Sequence, residues 1–306
     1  MTPRVAVLLS TYNGEAFLAA QLDSLRAQSG VQVEVFARDD GSTDATLEIL
    51  AGYARWWPQL AAPMTGPNLG PAASFLTLLG GEMESFDGFA FCDQDDVWLP
   101  DKLAMATSRL QDVGGGSPAL YCSRVMCVDR SLRPLGPAPI KRDGRFAHLL
   151  FENIAFGATV VMNAAARDRV RSRPPTSGVI MHDWWCALVA SAFGSVIYDE
   201  HPGLLYRQHG DNQIGQSASR VGEWIRLARV FARAPSRFYP IHAQAAEFVR
   251  LFGDNLDAGD RRLAQALVDS KRSAAARIAY AASGEIVRAD VLGALVARGL
   301  IASGLY

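Results

Sequence analysis

Four cysteines are all that this 306-residue chain contains, Cys92, Cys122, Cys127 and Cys186. They show neither Cys-x-x-Cys pairing nor the density of a disulfide scaffold, which leaves buried or half-buried thiols in a reducing compartment. Long apolar runs are also missing. No window of 18 uninterrupted apolar residues occurs, so no transmembrane helix is expected. The opening MTPRVAVLLSTYNGE lacks the small-residue cleavage site of a signal peptide and reads as a strand. Charge of one sign is missing too: 30 Lys+Arg stand against 31 Asp+Glu, which argues against a strongly cationic nucleic-acid binder. A Gly-x-x-x-x-Gly-Lys-Ser/Thr loop and a Gly-x-Gly-x-x-Gly turn are both absent, so neither a P-loop nor a dinucleotide fold supplies phosphate binding. These exclusions leave a cytoplasmic globular protein, with a peripheral place at the inner face of the membrane left open.

What is present is an α/β alternation. Val5–Leu9 is a continuous apolar run, the mark of a parallel strand covered on both faces. Phe17, Leu18, Leu22 and Leu25 follow at helical spacing, Val33–Ala37 gives a second strand, and Leu47–Tyr53 a second helix capped by Ser42 or Thr43. Residues 58–72 read as a Pro/Gly loop, and Phe89–Cys92 as a third strand. Pro100 and Asp101 open a helix through Leu110. Further strands are expected at Ala119–Val128 and Ile154–Met162, flanking a polar loop at 129–147. A helix at Trp184–Phe193 and short strands at Ser195–Tyr198 and Leu204–Gln208 follow, and the chain beyond Gly215 reads helical. This order implies a doubly wound sheet.

Ligands of such sheets bind at the carboxyl ends of the strands. Ser10-Thr11-Tyr12-Asn13 follows the first strand, Asp39-Asp40-Gly41-Ser42-Thr43-Asp44 the second, and Asp93-Gln94-Asp95-Asp96 the third. Turn and cap duty accounts for some of these residues. Three carboxylates in four positions exceed any capping need. Carboxylates crowded on one edge repel one another, and a hard divalent cation with a phosphorylated ligand would relieve that. Asp96 is also placed to cap the helix that follows.

These segments, with His182-Asp183-Trp184-Trp185 and Tyr206-Arg207-Gln208-His209 in the same order, resemble the family 2 glycosyltransferases over about residues 4–215. Asp-Gln-Asp-Asp-Val-Trp and His-Asp-Trp-Trp are most similar to the rhamnosyltransferase-like subgroup. The resemblance implies a GT-A fold, a Rossmann-like mixed central sheet flanked by helices, with a C-terminal helical segment. It implies transfer of one sugar, rhamnose for that subgroup, from a dTDP- or UDP-sugar to a hydroxyl of a bacterial surface-glycan precursor, lipid-linked or not. Such transfer would be metal-dependent (Mn²⁺ or Mg²⁺) and inverting.

By the same resemblance, Thr11, Tyr12, Asn13, Asp40, Gly41 and Ser42 would hold the nucleotide, Asp40 accepting from the base. Asp93 and Asp95 form an Asp-x-Asp motif, Asp95 as principal metal ligand and Asp93 at the metal or the ribose. Arg207 suits the diphosphate, and His209 the metal or a phosphate. Asp183 is the expected general base. Trp184 and Trp185 suit either sugar stacking or burial. The Gln-x-x-Arg-Trp motif of processive synthases is absent, which favours single addition.

The charge is unevenly spread. Residues 1–219 carry 17 basic and 23 acidic side chains, and residues 220–306 carry 13 and 8. The division expected is a catalytic domain at 1–219 and a helical extension at 220–306. Arg226, Arg229, Arg233 and Arg237, interleaved with Trp224 and Phe231, would make a basic amphipathic segment for a membrane surface, a homodimer contact or packing on the body. Two rival functions remain beside glycosyl transfer. A nucleotidyltransferase would carry a Gly-rich basic N-terminal loop, which is missing here. A non-catalytic sugar-nucleotide-binding protein would have lost Asp95 or Asp183, and both are present.

Overall fold

The computed structural model describes residues 2–83, 85–114, 116–141, 143–209 and 240–306. The chain opens with β1 (Arg4–Thr11), α1 (Leu18–Arg26), β2 (Gln32–Asp39) and α2 (Thr46–Ala54). The strands β3 (Met64–Thr65) and β4 (Gly88–Cys92) bracket α3 (Pro71–Gly80). Then come β5 (Val97–Trp98), α4 (Lys102–Asp112), β6 (Ala119–Ser123), β7 (Met126–Val128) and β8 (Pro134–Pro137). The short α5 (Phe146–Leu149), β9 (Val161–Met162), α6 (Ala164–Ser172), α7 (His182–Phe193), β10 (Ser195–Asp199) and β11 (Leu204–Arg207) complete the body.

Seven strands form the central sheet in the order β10-β6-β9-β4-β1-β2-β3. β1 is parallel to β2 and β4, while β9 runs antiparallel between β4 and β6, so the sheet is mixed. The apolar run of β1 has a direct cause. Ala6 and Leu8 enter one hydrophobic core, and Val5, Val7 and Leu9 enter the other, on the opposite face. Side chains alternate along a strand, so a sheet covered on both sides needs apolar residues at every position. β4 repeats the rule, with Phe89 and Phe91 on one side and Ala90 and Cys92 on the other. All four cysteines are buried free thiols.

A smaller four-stranded sheet, β5-β11-β7-β8, docks beside the central one. It accounts for the main departure from the strand pattern expected at Ala119–Val128. That run breaks at Arg124–Val125, and its halves join different sheets. Ile154–Met162 is also not one strand. Most of it is irregular backbone and a 3₁₀ turn at Gly157–Thr159, with only Val161–Met162 paired. The loops at 58–72 and 129–147 hold β3, the start of α3, β8 and the start of α5. α6 was not anticipated either, and it is capped by Asn163, which accepts from Ala166 N–H. Ser42 and Thr43 do not cap α2, whose N-cap is Ala45. Asp96 does not cap α4; it is fully buried and accepts from the Arg207 N–H at 3.1 Å.

Helices Ile241–Phe252, Ala258–Ser270, Ala274–Ala282 and Val291–Ser303 follow. They share the body's core: Phe248 and Phe252 pack on Trp185 at ring separations of 5.8 and 6.3 Å. The boundary expected at 219/220 and the basic segment from Trp224 to Arg237 lie outside the described residues. Among the described residues, no helix is long and apolar enough to cross a membrane.

Candidate active site

A cavity of about 780 Å³ opens at the carboxyl ends of β1, β2 and β4. It brings together Thr11, Tyr12, Asn13, Asp40, Asp93, Asp95, Asp183 and His209 from segments spread over 200 residues of sequence. Gly41, Ser42 and Arg207 are not on its wall, and each has a different job.

The segment after β2 is organised from within. Asp39, fully buried, accepts from the hydroxyls of Thr11 (2.9 Å) and Ser42 (2.6 Å) and from the N–H groups of Gly41 and Ser42. Ser42 Oγ in turn accepts from the Asn13 N–H at 2.8 Å, and Asn13 Oδ1 accepts from the Thr43 N–H at 2.8 Å. Ser42, fixed by Asp39, therefore holds the loop at Asn13, and Gly41 helps to hold Asp39.

Asp40 has contacts within the fold as well. It lines the cavity, but Oδ2 accepts from the N–H groups of Leu69 (3.1 Å) and Gly70 (3.0 Å), and Oδ1 pairs with the buried Arg38 guanidinium. Three of the roughly four acceptor positions of the carboxylate are taken. Asp40 thus also docks the loop that precedes α3.

Gln94 was passed over as a spacer between carboxylates. Its amide donates to Tyr12 O at 2.9 Å and accepts from Tyr12 N–H at 2.8 Å, so it pairs with the backbone as a strand residue would. Gly14 makes room for it, since a Cβ there would lie 2.2 Å from Gln94 Oε1.

The carboxylates carry concentrated negative charge. Burial, then the neighbouring Asp95 and Asp183, push the Asp93 carboxyl up to about 8. Burial and the Asp95 and Asp93 charges push Asp96 well above the usual range. Asp95 Oδ2 lies 2.9 Å from His209 Nε2, and the His209 ring sits 5.0 Å from that of Phe17. Arg207 is nearly buried; its Nε donates to Asp95 O (2.9 Å) and its Nη1 to Arg130 O (2.6 Å). The guanidinium therefore acts on backbone carbonyls behind the wall. Among the described residues, no three His, Cys, Asp or Glu side chains are grouped to hold a metal ion.

Asp183 stands at the first turn of α7, 5% exposed, and lines the same cavity. Burial pushes its carboxyl up to about 6, against hydrogen bonds from the Trp184 and Gly157 N–H groups and the Asn153 side chain. Beside it His182 is stacked on Phe75 at 4.1 Å, and burial lowers its imidazole to about 3, so it is neutral. Trp184 and Trp185 belong to the core. Trp184 Nε1 donates to Leu149 O, Trp185 is fully buried, and neither reaches the cavity.

The loop expected to be polar and flexible supplies Arg130, Ala138, Pro139 and Lys141 to the cavity. The five basic residues of that stretch, Arg130, Arg133, Lys141, Arg142 and Arg145, are the signal the sequence offers.

Comparison with known proteins agrees with this architecture. Residues 6–115 match Glycosyl transferase family 2. The chain is 29% identical over 231 residues to dTDP-rhamnosyl transferase RfbG of Shigella flexneri, covering 72% of this chain and 78% of that protein. It is 30% identical over 141 residues to the succinoglycan biosynthesis protein ExoO of Rhizobium meliloti, covering 46% of this chain and 39% of that protein. S. aureus TarS 1–349 superposes with a TM-score of 0.58 at 17% identity, covering 99% of this chain and 79% of that one. Its complex with UDP-GlcNAc gives 0.54 at 16%, covering 99% and 93%. At such identities the structural likeness speaks for the fold. The chain carries a glycosyltransferase family 2 domain built on the GT-A fold.

Proposed function

We propose that the protein moves a single sugar from a nucleoside-diphosphate donor to a hydroxyl of a bacterial surface-glycan precursor, with inversion at the anomeric carbon. The observation that carries this reading is the convergence on one cavity of Asp93, Asp95, His209 and the buried Asp183. Rhamnose is the sugar favoured, because RfbG is described as a dTDP-rhamnosyl transferase. A nucleotide-sugar site is supported by the TarS complex with UDP-GlcNAc, which has the same fold.

Asp183 acts as general base. The acceptor oxygen bonds to the anomeric carbon as the bond from that carbon to the diphosphate oxygen breaks, and the acceptor proton passes to the Asp183 carboxylate. A carboxyl raised to about 6 is ionised at neutral pH yet basic enough to take a proton in the transition state. Asn153 and the Trp184 N–H fix the carboxylate's orientation. Gln94, pairing with Tyr12, fixes the rim of the nucleotide side.

A divalent ion fits the donor set. Crowding with Asp95 and Asp183 adds to burial in raising Asp93, and a cation would relieve that crowding. Asp95 and Asp93 would hold it, and phosphate oxygens and water would complete the shell, as is usual for Mg²⁺. When bound, it would neutralise charge on the departing diphosphate. The test is transfer of radiolabelled sugar from dTDP-rhamnose and a panel of UDP-sugars to lipid-extracted glycan precursors, with and without Mn²⁺. Hydrolysis or transfer by wild type that is lost in both Asp95→Ala and Asp183→Asn supports the reading. Full activity in either variant removes that residue from its role.

A further inference from the structure

Arg207 fills the position expected to meet the diphosphate, yet its guanidinium is turned to backbone. One nitrogen holds Asp95 O and another holds Arg130 O. Arg130 itself stands on the cavity wall. It sits in a tight turn between β7 and β8 that is closed from inside. Asp129 Oδ1 accepts from the N–H groups of Ser131 (2.8 Å) and Arg133 (2.9 Å), and the backbone bonds Asp129 N–H to Arg133 O at 2.9 Å. The turn's backbone is thus fixed at one end by Asp129 and at Arg130 by Arg207.

The Arg130 guanidinium lies 5.3 Å from the Phe17 ring, on which Arg207 (4.6 Å) and His209 (5.0 Å) also pack. Among the described residues, no carboxylate pairs with Arg130. Two guanidiniums surround one ring, and Arg130, unlike Arg207, lines the cavity, which leaves a place there for an anion with several oxygens. A fork of N–H donors matches phosphate geometry.

We propose that Arg130 binds the diphosphate of the donor, and that Arg207 is a positioning residue that sets the spacing between Arg130 and Asp95. The assignment rests on the glycosyltransferase reading for its ligand and goes beyond it in naming the cation. It also gives Arg130 the diphosphate contact that the resemblance implies for Arg207.

The experiment is calorimetric titration of the full chain in EDTA with dTDP against thymidine, and UDP against uridine. Arg130→Ala is expected to weaken the diphosphate that binds wild type by about ten- to a hundredfold, the size of a lost charge-assisted contact, and to leave the nucleoside unchanged. Arg130→Lys should recover part of the loss, since it keeps charge without the fork. Arg207→Met should weaken the diphosphate in the wild-type background and add little to Arg130→Ala. Equal diphosphate affinity in wild type and Arg130→Ala overturns the assignment, as does an equal loss for nucleoside and diphosphate. Additive losses in the double variant overturn the positioning role of Arg207. If wild type transfers no sugar while Arg130→Ala still loses diphosphate affinity, the glycosyltransferase reading fails and the anion assignment stands.

Discussion

Asp40 Oδ2 lies 3.0 Å from the N–H of Gly70, so a carboxylate at the end of β2 anchors the chain entering α3. The same carboxylate pairs with the buried Arg38. Replacing Asp40 with Asn would leave Arg38 charged and unpaired, which costs about 3–5 kcal/mol in a buried pair. Urea denaturation should show that loss. A variant that keeps its stability and loses only nucleotide affinity would return Asp40 to the base-binding role.

Asp183→Asn should abolish transfer while nucleotide binding persists. The activity of wild type should rise as pH passes upward through about 6, because only the ionised carboxylate accepts the proton. Stability moves the other way. The folded carboxyl is raised above its value in the unfolded chain, so its protonated form favours folding, and that contribution fades as pH rises through about 6. The asparagine variant should therefore melt higher than wild type at pH 8, and the gap should close below about pH 4. A melting difference that is flat with pH would mean Asp183 titrates normally.

Gly14→Ala should cut activity without unfolding the protein. The new Cβ would meet Gln94 Oε1 at 2.2 Å and push the amide away from Tyr12. Circular dichroism with steady-state kinetics checks it. A fully active Gly14→Ala enzyme would show that the Gln94–Tyr12 pairing is dispensable.

Phe248→Ala should destabilise the whole protein by about 3–5 kcal/mol, the usual cost of emptying a core aromatic site. Phe248 is fully buried and touches Phe146, Trp185 and Phe252. Melting in a single transition lowered by that amount is expected. Separate melting of the C-terminal helices would argue that they fold apart from the body.

Much of the sheet was legible because Val5–Leu9 of β1 and Phe89–Cys92 of β4 are apolar at every position, a pattern that a strand covered on both faces imposes. The carboxylate clusters were legible because their number exceeded what turns require. α3 was hidden because it opens on Pro71 inside a Pro/Gly-rich stretch, where local composition argues for a loop. The break at Arg124–Val125 was hidden because both halves are apolar and only the partner strands differ.

The sequence by itself determined the fold class, the strand ends where chemistry gathers, and the identity of Asp93, Asp95 and Asp183 as the acids to watch. Tertiary structure decided which charges are free to act. Asp40 and Arg207 resemble ligand-binding residues by type and place, but backbone N–H and C=O groups brought from distant loops already engage them. A side chain's hydrogen-bond capacity is finite, and only the folded chain shows how much of it is already used.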